Sequence, residues 1–486
     1  MLTLSLLLGL TLTLTLTLTL QTLALNIPSA APPELRGTRT FVKRDGVDHT
    51  IFEHEATGAK IDYVANSGVC ETTRGVDSYS GYVSVGKNQS MWFWFFEARH
   101  KPKTAPLGLW INGGPGCSSM IGLFQENGPC TFLPNATEPT HNPHSWNEHA
   151  NMLYVDQPIG VGFSYGDETI GSTAGAAPVV WSFLQAIFAG FGEYRNRDFG
   201  LFTESYGGHY GPEFADYLEK QNRGIKQGTV RGREINLIAL GINNGWFDPP
   251  IQFPSFITYS LTNPYRPLLN ASIATPYLNE TLATCVPELR KCISNTGHDS
   301  DCVHARAVCR VIDDKYSPYF PDVDFYDIRQ DGAGTFPSSA YLAYLEREDV
   351  RRRIGARGKY VECSDSVGAM FDTTGDSAHS FLPTLSTLVS SGLPTLIWAG
   401  DADAVCDHIG NFEVVNNISY PLSAAFQEKK LEHYTTRGKV GGEFKSLGNL
   451  SWLRVYEAGH MVMSFQPELS LQVFRQVMGG GGIWGT

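Results

Sequence analysis

A serine, an aspartate and a histidine that could act together each follow an apolar stretch of the sequence. Ser205 lies between the apolar run 199–203 and an amphipathic pattern, and Asp403 and His460 each come shortly after a further apolar run. A serine hydroxyl is a poor nucleophile at neutral pH, so it needs a partner base and an exposed, strained turn. The chain order Ser, Asp, His therefore predicts a catalytic triad for nucleophilic acyl transfer.

Each of these three segments also has a structural interpretation when it is taken alone. Ser205 could cap the helix that follows it, because Thr203 replaces the first glycine of the Gly-x-Ser-x-Gly pattern of a nucleophile elbow. Asp401 or Asp403 could form a turn, and His460 could be a structural loop histidine. The three together, in this order and after apolar runs, favour the triad.

The apolar runs indicate which elements position these side chains. Seven runs are predicted to be buried strands, at 91–96, 107–111, 152–155, 199–203, 235–240, 394–399 and 453–456. Segments of helical length, among them 178–189 and 209–221, lie between several of them. Strands that alternate with helices predict a mostly parallel, doubly wound α/β sheet of the α/β-hydrolase type, with catalytic groups at the carboxyl ends of its strands.

The region 246–376 differs from the rest because it has no buried-strand pattern. It holds two of the six Asn-x-Ser/Thr sequons, and four of the nine cysteines lie between 285 and 309. We interpret it as an inserted cap, because long structureless loops are uncommon in compact domains; an ordinary set of loops is the alternative. The predicted domains are then a signal peptide at 1–25, core at 26–245, cap at 246–376 and core at 377–486.

The start of the chain and its sequons indicate the secretory pathway. Apart from Ser5 and Gln21, residues 2–25 are apolar or threonine, and none carries a charge, which is typical of a signal peptide; an uncleaved membrane anchor is the alternative. We therefore expect secretion without stable membrane association, with a vacuolar or lysosomal compartment as the alternative. Glycosylation is predicted at Asn88, Asn135, Asn270, Asn279, Asn417 and Asn449.

The charge balance bears on the partners. The 486-residue chain carries a net charge of −12, which disfavours nucleic acid as a partner.

In an oxidising compartment eight of the nine cysteines could pair. No close pair of cysteines has zinc-site spacing, and His141, His144 and His149 lie in a Pro/Asn-rich stretch without a ligand set, so no metal site is expected.

Several longer motifs resemble the signatures of the serine carboxypeptidase family. They are Asn-Gly-Gly-Pro-Gly-Cys-Ser-Ser at 112–119, Asp-Gln-Pro-Ile-Gly-Val-Gly-Phe-Ser-Tyr at 156–165, Glu-Ser-Tyr-Gly-Gly at 204–208, Gly-Asp-x-Asp at 400–403 and Gly-His-Met at 459–461. The resemblance runs from about residue 62 to residue 466 and is strongest to secreted fungal members. It implies a hydrolase that needs no cofactor and acts on the C-termini of peptides and proteins.

The resemblance also implies a role for each residue of the triad. Ser205 would attack the scissile carbonyl, His460 would move the proton, and Asp403 would orient the imidazole, while Asp401 would be structural. The backbone N–H groups of Gly114 and Tyr206 would form the oxyanion hole.

The same resemblance implies a clamp for the substrate's terminal carboxylate. The clamp would consist of Asn112, Glu126 and Glu204. Two carboxyls that face a third must share a proton to bind it, so tight peptide binding is expected at acidic pH. Without the resemblance, Glu126 alone would be interpreted as a surface acid.

Most of the disulfide pairing is likewise implied by the resemblance. The pairs that it implies are Cys117–Cys363, Cys285–Cys309 and Cys292–Cys302, with Cys406 as a free thiol, and Cys70–Cys130 is then expected by parity.

Three other functions compete with peptide hydrolysis. Acyl transfer or cyanohydrin cleavage would use the same fold, and a lipase or esterase would use the same triad. A non-catalytic binding homologue is disfavoured by the intact Ser205, Asp403 and His460. The clamp residues favour peptide carboxylates, whereas side-chain preference and oligomeric state stay open.

Overall fold

The fold is described from a computed structural model for residues 37–55, 58–294 and 299–486. The predicted signal peptide, 1–25, lies outside the described residues. The strands of the described residues are, in chain order, β1 (Gly37–Arg44), β2 (Val47–His54), β3 (Lys60–Ala65), β4 (Ser78–Gly86), β5 (Gln89–Phe96), β6 (Leu107–Ile111), β7 (Cys130–Thr131), β8 (Thr140–His141), β9 (Asn151–Val155), β10 (Tyr165–Gly166), β11 (Asp198–Glu204), β12 (Asn236–Asn243), β13 (Thr395–Gly400), β14 (Glu432–Thr436), β15 (Lys439–Leu447) and β16 (Leu450–Val455).

Helices connect and cover these strands. The α-helices of the described residues are α1 (Thr173–Gly190), α2 (Gly207–Lys226), α3 (Pro249–Thr262), α4 (Ala271–Glu280), α5 (Val286–Ser294), α6 (Asp299–Tyr316), α7 (Ala340–Leu345), α8 (Glu348–Ile354), α9 (Asp365–Thr374), α10 (Leu382–Ser390), α11 (His408–Asn417), α12 (Ser423–Glu428), α13 (Val462–Phe465) and α14 (Pro467–Val477). Two π-helical turns, Gly122–Glu126 and Thr281–Cys285, and several short 3₁₀ turns complete the described structure.

The described part of the chain contains one fourteen-stranded sheet. Its order is β1-β2-β3-β4-β5-β9-β6-β11-β12-β13-β16-β15-β14, with β10 paired to β5. The central strands β9, β6, β11, β12, β13 and β16 run parallel to one another, and antiparallel strands extend both edges. The predicted α/β fold is confirmed, because all seven predicted strands lie in this sheet and each prediction overlaps an observed strand.

Apolar side chains cover both faces of the central sheet. Along β5 the alternation of a strand places Trp92 and Trp94 in one apolar cluster and Phe93 and Phe95 in another. A strand buried on both faces reads as a continuous apolar run, which explains why the central strands were predictable. Helix α1 is long and apolar enough to cross a membrane, but more than half of it is buried, and it packs against α2 and β4.

The chain between β12 and β13 is helical and includes α3 to α10. The predicted cap lies in this region, and the division at 246 and 376 stays a prediction. Disulfides Cys285–Cys309 and Cys292–Cys302 tie the chain at α5 to α6 around an apolar cluster of its own. This region therefore holds part of its structure by covalent links.

The other two disulfides anchor loops near the sheet. Cys117–Cys363 joins the loop after β6 to the segment before α9, and Cys70–Cys130 joins the loop between β3 and β4 to the first residue of β7. The described cysteines therefore form the four expected pairs, and Cys406 is free and buried.

The six sequons differ in how accessible their asparagines are. Five of them have exposed side chains, namely Asn88, Asn135, Asn270, Asn279 and Asn417. Asn449 is half-buried, and its Nδ2 donates to the carbonyl of Val389 at 2.7 Å and to that of Leu393 at 2.9 Å. A glycan is linked through this nitrogen and would leave it a single hydrogen, so both bonds could not persist.

We therefore expect Asn449 to be unmodified in the folded protein. The loss of one of its bonds would leave a carbonyl without its donor, at a cost of about 1–3 kcal/mol if that group is fully desolvated. Mass spectrometry of glycopeptides after enzymatic deglycosylation in ¹⁸O water would mark occupied sequons, with the exposed Asn417 as the comparison. Stoichiometric labelling at Asn449 would contradict this expectation.

Candidate active site

The turn between β11 and α2 carries Ser205. This residue has a φ of +63°, an unusual and strained conformation for a residue with a side chain. Gly207 is required here, because a Cβ on it would lie 2.5 Å from Cβ of Thr203. Thr203 fits without the usual glycine because its hydroxyl donates to the carbonyl of Gly207 at 2.8 Å. The imperfect motif therefore still forms a nucleophile elbow.

The glycine-rich loop after β6 passes directly over this elbow. A Cβ on Gly113 would lie 2.4 Å from the backbone nitrogen of Tyr206 and 2.6 Å from the carbonyl oxygen of Glu204, so only glycine permits the approach. The approach brings Gly114 beside the start of α2. Neither Gly114 nor Tyr206 donates its backbone N–H to another described residue, so both donors are free to bind an oxyanion.

The acid and the histidine lie at the ends of neighbouring strands. Asp403 follows β13 and His460 follows β16, which is paired with β13. Nδ1 of His460 lies 2.7 Å from Oδ2 of Asp403, and both side chains are buried. Nε2 of His460 has no partner among the described residues, which leaves this nitrogen free for the hydroxyl of Ser205.

Several donors hold the carboxylate of Asp403 in place. The backbone N–H of Val405 donates to Oδ1 at 2.9 Å, and that of Cys406 donates to Oδ2 at 3.2 Å. Nδ2 of Asn244 also donates to Oδ2, at 2.7 Å. With His460 as a fourth neighbour, Asp403 is fixed as an acceptor, the role that the orienting acid of a triad needs.

Asn112 organises the predicted clamp. Its Oδ1 accepts from Trp110 Nε1 at 2.7 Å and from the backbone N–H of Gly122 at 2.9 Å, which fixes the orientation of the amide. The Nδ2 group then points the other way, towards Glu126 at 3.1 Å and Glu204 at 3.3 Å. The sequence-predicted clamp residues are thus brought together in the structure.

Both acidic side chains of the clamp are buried. Burial raises the pKa of the Glu126 carboxyl, against the hydrogen bonds that it makes to Glu204 and Asn112. Burial also raises the pKa of Glu204 well above its usual value, and the neighbouring Glu126 carboxyl adds to this effect. A buried pair with raised pKa values can keep a proton between them, which is the state that accepts an anionic ligand.

A cavity of about 490 Å³ opens on one side of Ser205. Gly114, Tyr206 and Cys406 line it close to the nucleophile, and several aromatic side chains line the rest, namely Trp246, Phe253, Phe256, Phe320, Phe325 and Phe371. The clamp residues do not line this cavity, so it lies on the side that would receive the acyl part of a substrate. Burial raises the pKa of the Cys406 thiol well above its usual value.

Other residues named from the sequence lie outside the reacting centre. Asp401 accepts from the hydroxyl of Tyr265 at 2.5 Å and lies 3.4 Å from Arg454, which is a structural setting. Among the described residues, convergent metal-type ligand atoms occur at Cys292, Cys302 and His379, but the two cysteines are bonded to each other. Since both sulfurs are used in this disulfide, the cluster offers no set of three metal ligands.

Sequence reasoning missed Asp376, which supports the elbow from the region between β12 and β13. The hydroxyls of Tyr206 and Thr173 both donate to Oδ2 of Asp376 at 2.6 Å, and the backbone N–H of Thr173 donates to Oδ1 at 3.0 Å. All three side chains are buried. Tyr206 and Asp376 are 170 positions apart, so no local sequence pattern could predict their contact.

Sequence reasoning also missed Asn243 and Asn244, at the carboxyl end of β12. Nδ2 of Asn243 donates to Oε2 of Glu204 at 2.9 Å, and Asn244 holds Asp403 as described above. A signal was present, because two successive amide side chains come three and four residues after the end of the strand predicted at 235–240. The rule that functional groups gather at the carboxyl ends of parallel strands would have found them.

The chain is similar to known proteins over most of its length. A family model described as serine carboxypeptidase matches residues 69–480. The chain is 50% identical over 416 residues to "Carboxypeptidase S1" of Penicillium janthinellum, covering 86% of this chain and 98% of that protein. It is 35% identical over 417 residues to "Carboxypeptidase Y" of Schizosaccharomyces pombe, covering 83% of this chain and 41% of that protein.

A solved structure supports the same fold. The crystal structure of Kex1Δp, a prohormone-processing carboxypeptidase from Saccharomyces cerevisiae, matches with a TM-score of 0.71 at 22% identity. The match covers 84% of this chain and 92% of that one.

Proposed function

The chain belongs to the serine carboxypeptidase family, and within this family we propose that it releases single C-terminal residues from peptides through an acyl-enzyme on Ser205. The observation that carries this proposal is the buried trio of Asn112, Glu126 and Glu204 beside the elbow. An endopeptidase or a lipase does not need to bind a peptide's terminal carboxylate, so neither needs a proton-sharing carboxyl pair next to its nucleophile. An exopeptidase needs a group that binds the terminal carboxylate.

The proposed reaction begins with proton transfer. Nε2 of His460 takes the proton of the Ser205 hydroxyl as its oxygen attacks the carbonyl carbon of the last peptide bond. The N–H groups of Gly114 and Tyr206 stabilise the oxyanion, and Asp403 stabilises the imidazolium. His460 then gives the proton to the leaving amine, and the C–N bond breaks.

Hydrolysis of the acyl-enzyme uses the same groups a second time. His460 takes a proton from a water molecule, whose oxygen attacks the ester carbon. The proton returns to Ser205 as the ester bond breaks, which restores the free enzyme and releases the shortened peptide.

Peptide binding should be favoured at acidic pH. The pKa values of Glu126 and Glu204 are raised, so the pair keeps a proton at acidic pH and can donate it towards the substrate carboxylate. As the pH rises through the pKa of the pair, this proton is lost. Two carboxylates then face a third, and affinity falls.

The test is KM measured from about pH 4 to about pH 8 for a blocked dipeptide and for its C-terminal amide. KM for the peptide should rise with pH, while KM for the amide, which carries no carboxylate, should not rise in step with it. A peptide KM that is flat over this range would contradict the proposed clamp.

We also propose that the protein is secreted and glycosylated. Five exposed sequons and four disulfides support passage through an oxidising compartment. Peptide and protein C-termini outside the cell are the substrates that such a location would supply.

A further inference from the structure

Asn243 connects the clamp to the loop of the catalytic histidine. It is the last residue of β12, it is fully buried, and its single Nδ2 group has two acceptors. One is Oε2 of Glu204 at 2.9 Å, and the other is the backbone carbonyl of His460 at 2.7 Å. Both hydrogens of this NH₂ group are therefore used, each on a different part of the site.

The position of β12 in the sheet explains this double contact. β12 lies between β11, whose last residue is Glu204, and β13, which leads to Asp403. Asn244, the next residue, donates to Asp403 and accepts from the backbone N–H of Gly400 at 3.0 Å. Two successive asparagines therefore contact the clamp and the triad, and Asn243 is the one that touches both Glu204 and the histidine loop.

We propose that Asn243 is a positioning residue that sets the pH range of peptide binding by stabilising the ionised form of Glu204. An N–H donor lowers the free energy of a carboxylate more than that of the neutral acid. Asn243 thereby opposes the effect of burial and lets the pair release its proton at a lower pH. This inference rests on the proposed function of the clamp.

Other groups that act on Glu204 are fixed independently of Asn243. Asn112 donates to its Oε1, and Glu126 shares its proton. Asp403 acts on Glu204 as a further negative charge, and Glu204 in turn acts on Tyr326 and Cys406. His460 acts on Glu126 as a positive charge when it is protonated. Of these groups only Glu204 and His460 are bonded to Asn243, His460 through its backbone carbonyl. Replacing Asn243 therefore removes one donor to Glu204 and one donor to the histidine loop.

The test is the pH dependence of peptide KM for Asn243→Ala. Loss of a donor to a charged group should move the pH at which KM begins to rise upwards by about 1 to 2 units. KM for the peptide amide should show no such displacement. The kcat for both substrates should fall by a similar factor, because the carbonyl of His460 also loses its donor.

A conservative variant guards against a failure to fold. Asn243→Ser keeps a smaller donor and should give a displacement between those of the wild type and the alanine variant. Labelling of Ser205 by a fluorophosphonate would show that each variant retains an assembled site. If only the serine variant labels, its displacement is the test.

The outcomes separate this inference from the function on which it rests. A wild-type peptide KM that is independent of pH would contradict the proposed function of the clamp itself. A wild-type KM that rises with pH, together with the same midpoint in the labelled Asn243 variants, would leave the clamp and overturn the role of Asn243. A downward displacement would also overturn it.

Discussion

Ser205→Ala should lower kcat for peptide hydrolysis by on the order of 10⁴- to 10⁶-fold. The alanine cannot form an acyl-enzyme, and the hydroxyl of the next residue, Tyr206, already donates to Asp376. Release of the free C-terminal amino acid from a blocked dipeptide, measured with excess substrate, gives kcat directly.

Binding should survive this substitution, which provides the control. Asn112, Glu126 and Glu204 do not depend on the hydroxyl of Ser205, so the variant should still bind a non-hydrolysable peptide with a free carboxylate at acidic pH. Fluorophosphonate labelling should be lost while thermal unfolding changes little. Residual activity within about tenfold of wild type would mean that another group is the nucleophile.

Asp403→Asn should lower kcat by on the order of 10⁴-fold. The carboxylate accepts from Val405, Cys406, Asn244 and His460, so each of its oxygens faces donors. An amide has one oxygen and one NH₂ group. If the NH₂ group takes the place of Oδ1, it faces the backbone N–H of Val405. If it takes the place of Oδ2, it faces the donors of Cys406 and Asn244, and it donates to Nδ1 of His460, which stabilises the wrong tautomer.

Asp401→Asn is the matched control, because it makes the same chemical change two residues away. Asp401 contacts Tyr265 and Arg454 rather than His460, so its amide should cost stability and little kcat. The kcat and the midpoint of thermal unfolding, measured for both variants, separate the two effects. Equal losses of kcat in the two variants would contradict the assignment of Asp403 to the triad.

The parts of the fold that could be predicted are those whose residues carry the signal locally. Central strands such as β6 and β13 are buried on both faces and read as apolar runs. The first antiparallel strands were missed because they lack such runs. Most of β1 is exposed, and Phe41 and Val42 are its only apolar residues. Strand β4 lies inside the sheet and is mostly buried, but serines and Gly81 interrupt its apolar residues, and a Cβ on Gly81 would lie 2.1 Å from the carbonyl of Asp62.

The candidate site divides in the same way. The triad residues follow strand ends in a known order, so their segments could be predicted from the sequence. The role of Glu126 came from the resemblance, because a single acid in an apolar segment has no local signature. The contact between Asp376 and Tyr206 depends on how the region between β12 and β13 packs on the elbow, and chain order does not encode that contact.

The proton-sharing clamp is tested most directly by offering one peptide in two forms at about pH 5, with a free C-terminal carboxylate and with a C-terminal amide. Mass spectrometry over time should show single residues lost in succession from the free peptide, and a much lower ratio of kcat to KM for the amide. Equal rates for the two forms, or internal fragments from either, would contradict a site built around the terminal carboxylate.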